Sequence, residues 1–313
     1  MQGAGRFAPT PSGRMHLGNL FAALLAWLSA RSQGLRFILR IEDLDVVASK
    51  SSYIPVIEDD LRWLGIDWDE GGLEGGPHAP YLQHERFDRY QQAFDLLQGR
   101  GLLYPCFCSR AELHAASAPH ASDGQVVYAG TCRSLTAAQI AEKSRVKRPA
   151  WRLAVPDRTI SFTDRRCGPY QEDLAAECGD FIVRRSDGLF AYQLAVVVDD
   201  AQMGVTEVVR GGDLIGSTPR QIYLQELLGC PHPAYAHIPM LIAPDGRRLA
   251  KRNKGSDAAV LRERFSAEEV VGWMAHAAGL RPDPTPLSPA QLVEGFSWDL
   301  VRGGDIVVDD AFL

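Results

Sequence analysis

Residues 7–20 read FAPTPSGRMHLGNL and place two prolines, two glycines and a histidine ahead of a long apolar run. The apolar residues from Gly3 to Ala8 predict a short buried strand, and the helical spacing from Leu20 to Trp27 predicts a helix. Backbone N–H groups and the positive end of the helix dipole would meet in the loop between them, which suits an anionic ligand such as a phosphate. Neither GxGxxG nor GxxxxGK(S/T) is present, so an ordinary strand-to-helix connection explains the residue types equally well.

A second set of reactive side chains is a Cys-x-Cys pair followed by Tyr-x-x-x-Cys, comprising Cys106, Cys108, Tyr128 and Cys132. A Cys-x-Cys pair cannot readily close on itself as a disulfide, and three thiols with one further ligand favour a zinc site. From the residue types alone the fourth ligand is Tyr128, His114 or His120, and histidine is a far commoner zinc ligand than tyrosine. The other cysteines are interpreted as buried free thiols: Cys167, Cys178 and Cys230.

A third group is the basic run RRLAKRNK, residues 247–254, which follows an apolar strand and a Pro-Asp-Gly turn. Lysine in such a loop can stabilise the charge that develops on a reacting phosphate. Taken alone, a run of this composition is more often a solvated basic loop.

The composition is that of a globular protein, with 313 residues of which 46% are hydrophobic. This length predicts about two domains. The net charge of −6 argues against nucleic-acid binding through overall charge and leaves local clusters such as Arg145, Lys147 and Arg148. The sequence shows neither a membrane span nor a signal-peptide pattern, and we expect a cytoplasmic protein with reduced thiols.

Strands and helices alternate in the first hundred residues. The segment LRFILRIEDLD, residues 35–45, predicts a second strand that ends in an acidic loop, and residues 51–64 and 85–98 have the pattern of amphipathic helices. Such alternation predicts a parallel sheet. From Tyr104 to about Asp180 it is replaced by cysteines, a Gly/Ser/His-rich stretch and short strand-like segments, which indicates an inserted subdomain.

The alternation resumes at residue 181, with a strand over 181–185, a helix over 191–200, a strand over 205–210 and a helix over 218–228. Ser266 and Glu269 form a capping-box pattern ahead of a helix over 267–278. The sequence therefore predicts an α/β protein in four parts: the first half of the sheet domain (1–104), the insert (105–180), the second half of the sheet domain (181–258) and a helical tail (259–313).

Four motifs, in the order FAPTPSGRMHLGNL, LRIEDLD, VVRGGDLIGSTPRQ and RRLAKRN, together resemble the class I glutamyl-tRNA synthetases over roughly residues 4–260. The resemblance implies a Rossmann-type class I catalytic domain with an inserted zinc-binding subdomain and a short helical C-terminal tail. The HIGH signature of that family corresponds to HLGN, with Asn19 in place of the second histidine. Its KMSKS signature corresponds to RLAKR, with Arg248 and Ala250 in place of lysine and serine.

The resemblance also implies which residues bind ATP: His16, Gly18, Asn19 and Lys251. Of these, His16 and Lys251 are expected to be catalytic. Adenylate formation brings a glutamate carboxylate against the α-phosphate of ATP, so fixed positive groups and the Mg²⁺ that accompanies ATP must offset the repulsion. The reaction requires no covalent nucleophile.

A glutamate pocket follows from the same resemblance, with Arg6, Ala8, Thr10, Glu42, Tyr192 and Arg210. Glu42 is expected to hold the α-ammonium group, while Arg6 and Arg210 donate to carboxylate oxygens, each charge-assisted bond contributing about 1.5–3 kcal/mol. Any one of these residues, taken alone, is more readily explained by a structural ion pair such as Arg40 with Asp43. In the insert, the resemblance selects Tyr128 as the fourth ligand of one structural Zn²⁺.

The chain continues for about sixty residues after the KMSKS-like segment, whereas a full glutamyl-tRNA synthetase continues into an anticodon-reading domain. The resemblance therefore implies a shortened relative that activates L-glutamate with ATP in the absence of tRNA and esterifies it to queuosine at the wobble position of tRNA(Asp). We expect a monomer. Two alternatives remain open: a truncated glutamyl-tRNA synthetase that charges a tRNA 3′ end, and a non-catalytic regulatory or RNA-binding paralogue.

Overall fold

The computed structural model describes residues 2–47, 49–109, 112, 127–247, 249, 257–309 and 312. Its central sheet starts with three parallel strands, β1 (Ala4–Phe7), β2 (Arg36–Leu39) and β3 (Glu70–Gly71). Two later strands, β9 (Glu207–Gly211) and β10 (Ala234–Ile238), are also parallel to each other. The two halves meet where Ala4 pairs with Val205 and accepts a 2.8 Å hydrogen bond from the Thr206 N–H. The predicted split parallel sheet is confirmed.

Among the described residues, the segment between β3 and β9 contributes five strands. Three of them form an antiparallel sheet: β4 (Leu103–Cys106), β5 (Ala150–Leu153) and β8 (Phe181–Arg184). The other two, β6 (Thr159–Asp164) and β7 (Gly168–Asp173), form a hairpin whose first strand pairs with β10 through Asp164 and Tyr235. Part of the predicted insert therefore extends the central sheet, while the domain boundaries remain predictions.

The helices of the described residues are α1 (Leu17–Ser32), α2 (Ile54–Trp63), α3 (Phe87–Gly99), α4 (Ala137–Val146), α5 (Tyr192–Gln202), α6 (Thr218–Leu228), α7 (Ala258–Arg264) and α8 (Ala267–Ala278). Two short strands near the end, β11 (Leu241–Ile242) and β12 (Ile306–Val307), pair with each other. The predicted capping box at the start of α8 is present, since Ser266 and Glu269 bond reciprocally.

Strand β2 is shorter than the sequence pattern suggested. Beyond Leu39 the backbone leaves the ladder with β3, and the Ile41 N–H donates to the Tyr81 carbonyl while the Glu42 N–H donates to the Pro9 carbonyl. The acidic loop is therefore held by the segments after β1 and β3, which carries Glu42 into the region beyond the strand ends.

Apolar side chains alternate along the central strands and fill two cores on opposite faces of the sheet. One core contains Phe7, Phe37 and Leu39 and packs against α1, α2, α7 and α8. The other contains Ala4 and Ile38 and packs against α3, α5 and α6. None of the helices in the described part of the chain is sufficiently long and apolar to span a membrane.

Candidate active site

A cleft of about 440 Å³ opens beyond the carboxyl ends of β1, β2 and β9. This is the place where the two halves of a parallel α/β sheet diverge, which is the usual ligand position in such folds. The cleft is lined by all six residues predicted for the glutamate pocket, together with two of those predicted for ATP: Arg6, Ala8, Thr10, Glu42, Tyr192, Arg210, His16 and Asn19. Residues from distant parts of the sequence therefore converge in one cleft.

The N-terminus of α1 forms one side of this cleft. His16 is the N-cap, and its ring Nδ1 accepts a 3.1 Å hydrogen bond from the Gly18 N–H. The Asn19 side-chain oxygen accepts a 3.1 Å bond from the His16 N–H and completes a capping box. Gly18 does not line the cavity, but a Cβ there would lie 3.0 Å from the His16 ring. The capping box explains why α1 begins at Leu17, ahead of the predicted apolar run.

The segment that follows the basic loop, from Asp257 onward, lies beside the same cleft. Asp257 is the N-cap of α7, and its backbone forms an isolated antiparallel β-bridge with that of His16. The Ala258 N–H donates to the Met15 carbonyl at 2.9 Å. The chain after the loop is thus anchored beside the N-terminus of α1. Lys251 itself, with the neighbouring KMSKS-like residues Arg248, Ala250 and Arg252, lies outside the described residues.

Behind the cleft, Arg40 is completely buried among carboxylates. It donates to Asp200 at 2.6 Å, and its Nε lies 3.8 Å from Asp199. Burial opposes a high pKa for Arg40, but the charges of Asp200 and Asp199 outweigh it and raise the pKa. The structural pair of Arg40 with Asp43 named from the sequence is wrong, because the Asp43 carboxylate lies 2.5 Å from His84 Nδ1 instead.

Glu42 and Arg6 are the cleft-facing members of this charged network. The Glu42 carboxylate lies 3.3 Å from Arg40, and burial raises its pKa although Arg40 and Arg6 oppose the shift. Arg6 donates to the Val209 carbonyl at 3.0 Å and its Nε lies 3.4 Å from Asp200. The Glu42 carboxylate and the Arg6 guanidinium group are therefore held in the cleft by groups that lie in the protein interior.

Arg210, at the end of β9, is held by four side chains. Its Nη1 donates to the Gln221 side-chain oxygen at 2.7 Å and to the Tyr192 hydroxyl at 3.3 Å. Its Nη2 donates to the Thr218 hydroxyl at 2.7 Å, and its Nε donates to His237 Nε2 at 3.0 Å. The guanidinium group is buried, so its orientation is fixed before any ligand is bound.

The predicted zinc ligands form a second cluster, away from the cleft. The Cys108 sulfur lies 3.6 Å from the Cys132 sulfur, and the Tyr128 hydroxyl lies 3.5 Å from the Cys106 sulfur and 3.6 Å from that of Cys108. Among the described residues, a search for clustered His, Cys, Asp and Glu side chains that could hold a metal ion finds these three cysteines. The alternative ligands His114 and His120 lie outside the described residues.

Sequence reasoning missed the buried side chains that support Arg6, Arg210 and, behind the cleft, Arg40. Asp199 and Asp200 end the apolar run AVVVDD, and they are buried within α5 although they carry charge. His237 lies in the apolar strand β10 and is fully buried beside Asp164. The available signal was a charged or titratable residue within an apolar run. Such a residue is expected to be buried, and a buried charge requires a partner.

Comparison with known proteins agrees with this arrangement. Residues 4–268 match the family described as tRNA synthetases class I (E and Q), catalytic domain. The chain belongs to this family, the class I tRNA synthetases of the glutamate and glutamine type, and the resemblance found in the motifs is confirmed.

Within the family, the chain is 54% identical to a protein of Symbiobacterium thermophilum named glutamyl-Q tRNA(Asp) synthetase, over 95% of this chain and 93% of that protein. A protein of the same name from Nitratidesulfovibrio vulgaris is 48% identical over 92% of this chain and 90% of its own length. The structure of a glutamate tRNA ligase from Elizabethkingia meningosepticum, in complex with its amino acid, superposes with a TM-score of 0.83 at 27% identity. That match covers 98% of this chain and 67% of the ligase.

Proposed function

We propose that this protein activates L-glutamate with ATP in the absence of tRNA and transfers the glutamyl group to queuosine at the wobble position of tRNA(Asp). The observation that carries the proposal is the single cleft in which Arg6, Glu42 and Arg210 converge beside the N-terminus of α1. The tRNA assignment is supported by relatives named glutamyl-Q tRNA(Asp) synthetase, which this chain matches over about nine tenths of their length.

The polar groups of the cleft suit glutamate at both ends. Ionised Glu42 can accept hydrogen bonds from the α-ammonium group, and Arg210 can donate to the side-chain carboxylate. Tyr192 already accepts a hydrogen bond from Arg210, so its own hydroxyl hydrogen can point to the same carboxylate. Glutamine would present an NH₂ group to these two donors, which leaves buried polar groups unpaired and disfavours the amide.

In the first reaction, an oxygen of the glutamate α-carboxylate attacks the α-phosphorus of ATP, and the bond to the bridging oxygen breaks to release pyrophosphate. The N-terminus of α1, with His16 as its cap, offers N–H groups and a positive dipole to the phosphates. Mg²⁺ bound with ATP would neutralise part of the phosphate charge. Lys251 remains the predicted loop cation, on the basis of its place in the KMSKS-like motif.

In the second reaction, a queuosine hydroxyl attacks the glutamyl carbonyl and releases AMP and a proton.

We also propose that Cys106, Cys108, Tyr128 and Cys132 hold one structural Zn²⁺. A tetrahedral site with Zn–S bonds of about 2.3 Å has edges of about 3.8 Å, close to the 3.5–3.6 Å separations among these ligand atoms. The four ligands would close the coordination sphere, so the ion would have a structural role and no open position for a substrate.

Two measurements test the proposed reaction. We expect ATP–pyrophosphate exchange that depends on glutamate and proceeds without tRNA, with little exchange when glutamine or aspartate replaces glutamate. We then expect transfer of labelled glutamate to tRNA(Asp) that contains queuosine and no transfer to tRNA(Asp) that lacks it. Absence of exchange would indicate a non-catalytic paralogue. Equal labelling of both tRNAs would indicate charging of the 3′ end.

A further inference from the structure

Arg210 is not positioned by its own strand alone, because its Nε–H points to a buried histidine of the next strand. His237 lies on β10, directly opposite Arg210 in the parallel ladder, and its Nε2 accepts the 3.0 Å bond from Arg210 Nε. The other ring nitrogen, Nδ1, lies 2.6 Å from a carboxylate oxygen of Asp164. Both the Asp164 carboxylate and the His237 ring have side-chain exposures of 0%.

The donors in this chain of contacts determine the protonation of the ring. Arg210 Nε–H can only donate, so His237 Nε2 must be the unprotonated nitrogen and Nδ1 must carry the hydrogen that Asp164 accepts. The Thr218 hydroxyl, which accepts from Arg210, lies 3.3 Å from the same Nε2 and can donate to it. Burial lowers the pKa of His237, which keeps the ring neutral.

Asp164 is itself fixed by the turn that follows β6. One carboxylate oxygen accepts the backbone N–H groups of Arg166 at 3.0 Å, Cys167 at 2.8 Å and His237 at 3.2 Å. The other oxygen is directed to the ring of His237. The three backbone donors thus orient the carboxylate, and the carboxylate selects one tautomer of the histidine.

We propose that Asp164 and His237 are positioning residues for substrate selection: together they orient the Arg210 guanidinium toward the side-chain carboxylate of bound glutamate. The inference rests on the glutamate-activating function proposed above. It also gives the segment between the two halves of the sheet a part in amino-acid recognition, since Asp164 ends β6 and does not line the cleft.

Two substitutions of His237 separate positioning from packing. In His237→Gln the side-chain oxygen can occupy the place of Nε2 and accept from Arg210, whereas His237→Asn can reach only the place of Nδ1. We expect the Asn variant to raise the KM for glutamate about 10- to 100-fold with a much smaller change in kcat, because a buried charged donor loses its acceptor. The KM of the Gln variant for glutamate should stay within about threefold of the parent value. Equal KM values for the two variants would overturn the proposal.

Asp164→Asn provides an independent test with almost no change in shape. The new amide oxygen can still accept the three backbone N–H groups, but its NH₂ group would face Nδ1 and force the hydrogen onto Nε2, against Arg210. We expect the KM for glutamate to rise, the preference for glutamate over glutamine to fall about tenfold or more, and the KM for ATP to stay unchanged. Cys167→Ser, in the same turn, should leave all three values unchanged. An unaltered amino-acid preference in a folded Asp164→Asn variant would contradict the proposal.

The tautomer can be measured without any activity. In ¹⁵N spectra of the labelled protein, with the ring assigned by comparison with His237→Gln, we expect Nδ1 protonated and Nε2 unprotonated in the parent, and the reverse in Asp164→Asn. A parent ring protonated at Nε2 would overturn the positioning role even if glutamate is activated. A parent with the expected tautomer but no glutamate-dependent exchange would instead contradict the proposed function.

Discussion

The part of the cleft that contains Arg6 and Arg210 and the cysteine cluster are both polar sites, but the protein supports them differently. Arg6 and Arg210 lie on central strands that contribute side chains to both large hydrophobic cores, and they donate to groups of the interior. The cysteines lie in a small cluster of their own, with Phe107 and Tyr128 as its other buried members. Helix α4, which follows this cluster, has no buried residue.

This difference indicates what holds each site in shape. In the cleft, side-chain hydrogen bonds and core packing orient the polar groups before a ligand binds. Near the cysteines there is little apolar surface to bury, and small units of that kind commonly depend on a metal for their stability. Loss of a ligand should therefore affect folding in the cysteine cluster and substrate binding in the cleft.

The largest effect is expected at the cysteines. Cys106→Ser and Cys132→Ser should each lose most of the bound zinc and expose the segment around the cluster to protease, because binding of a structural Zn²⁺ contributes about 10–16 kcal/mol in zinc-finger peptides. Cys230→Ser, a half-buried cysteine outside the cluster, is the matched control and should keep its metal. Metal analysis that finds full zinc in both cluster variants would remove the proposed site.

The buried arginine behind the cleft gives the next largest effect. Arg40→Met removes the cation from among the carboxylates of Asp199, Asp200 and Glu42, and we expect the free energy of unfolding to fall by about 3–5 kcal/mol. Arg62→Met removes a half-exposed arginine that donates a hydrogen bond to Glu74 at 2.7 Å. We expect it to lower the free energy of unfolding by less than about 1 kcal/mol. Equal losses in denaturant titrations would show that the buried network does not stabilise the cleft.

A third variant addresses the choice of amino acid. Arg210→Gln should weaken glutamate activation by about 2–5 kcal/mol, or roughly thirty- to several-thousand-fold, because the side-chain carboxylate loses its cation. ATP binding should survive, since the phosphates are assigned to the N-terminus of α1. Arg158→Gln, on an exposed arginine paired with Glu226 at 2.7 Å, is the control. Normal ATP binding with near-parent activation in Arg210→Gln would mean that the pocket is misassigned.

The smallest effect concerns pH. Burial raises the pKa of Glu42 above its ordinary value near 4.3. In the proposed function its ionised form holds the substrate ammonium group, so we expect binding to be complete above the raised pKa and to weaken as the pH falls through it. We expect the KM for glutamate to rise severalfold as the pH falls through the raised pKa of Glu42, at a higher pH than an ordinary glutamate side chain would require. Glu42→Gln should have a high KM without this rise. An identical rise in the variant would assign the titration to another group.

The fold was largely predictable because its elements have local signals. A short apolar run predicted β1, the helical spacing of apolar residues predicted α1, and Ser266 with Glu269 predicted the start of α8. Where β2 ends was not predictable, because that depends on the distant Tyr81 carbonyl, which accepts the Ile41 N–H. A strand boundary set by a partner far along the chain leaves no mark in the local pattern.

The site divides in the same way. The residues that we propose contact the substrates belong to motifs, and the structure brings Arg6, Glu42 and Arg210 into one cleft. Residues that hold them in place do not belong to motifs: Asp164 and His237 are far apart in sequence and meet only because β6 pairs with β10. Sequence alone therefore predicts the groups that bind ligands better than the groups that orient them.

In the proposed function, glutamate is transferred to a modified base and not to the tRNA end. The most direct measurement is mass spectrometry of the nucleosides released from tRNA(Asp) after reaction with the protein, ATP and isotopically labelled glutamate. We expect labelled glutamate attached to queuosine, with an unmodified terminal adenosine, and no labelled nucleoside when the tRNA lacks queuosine. Labelled glutamate on the terminal adenosine, with queuosine unchanged, would contradict it.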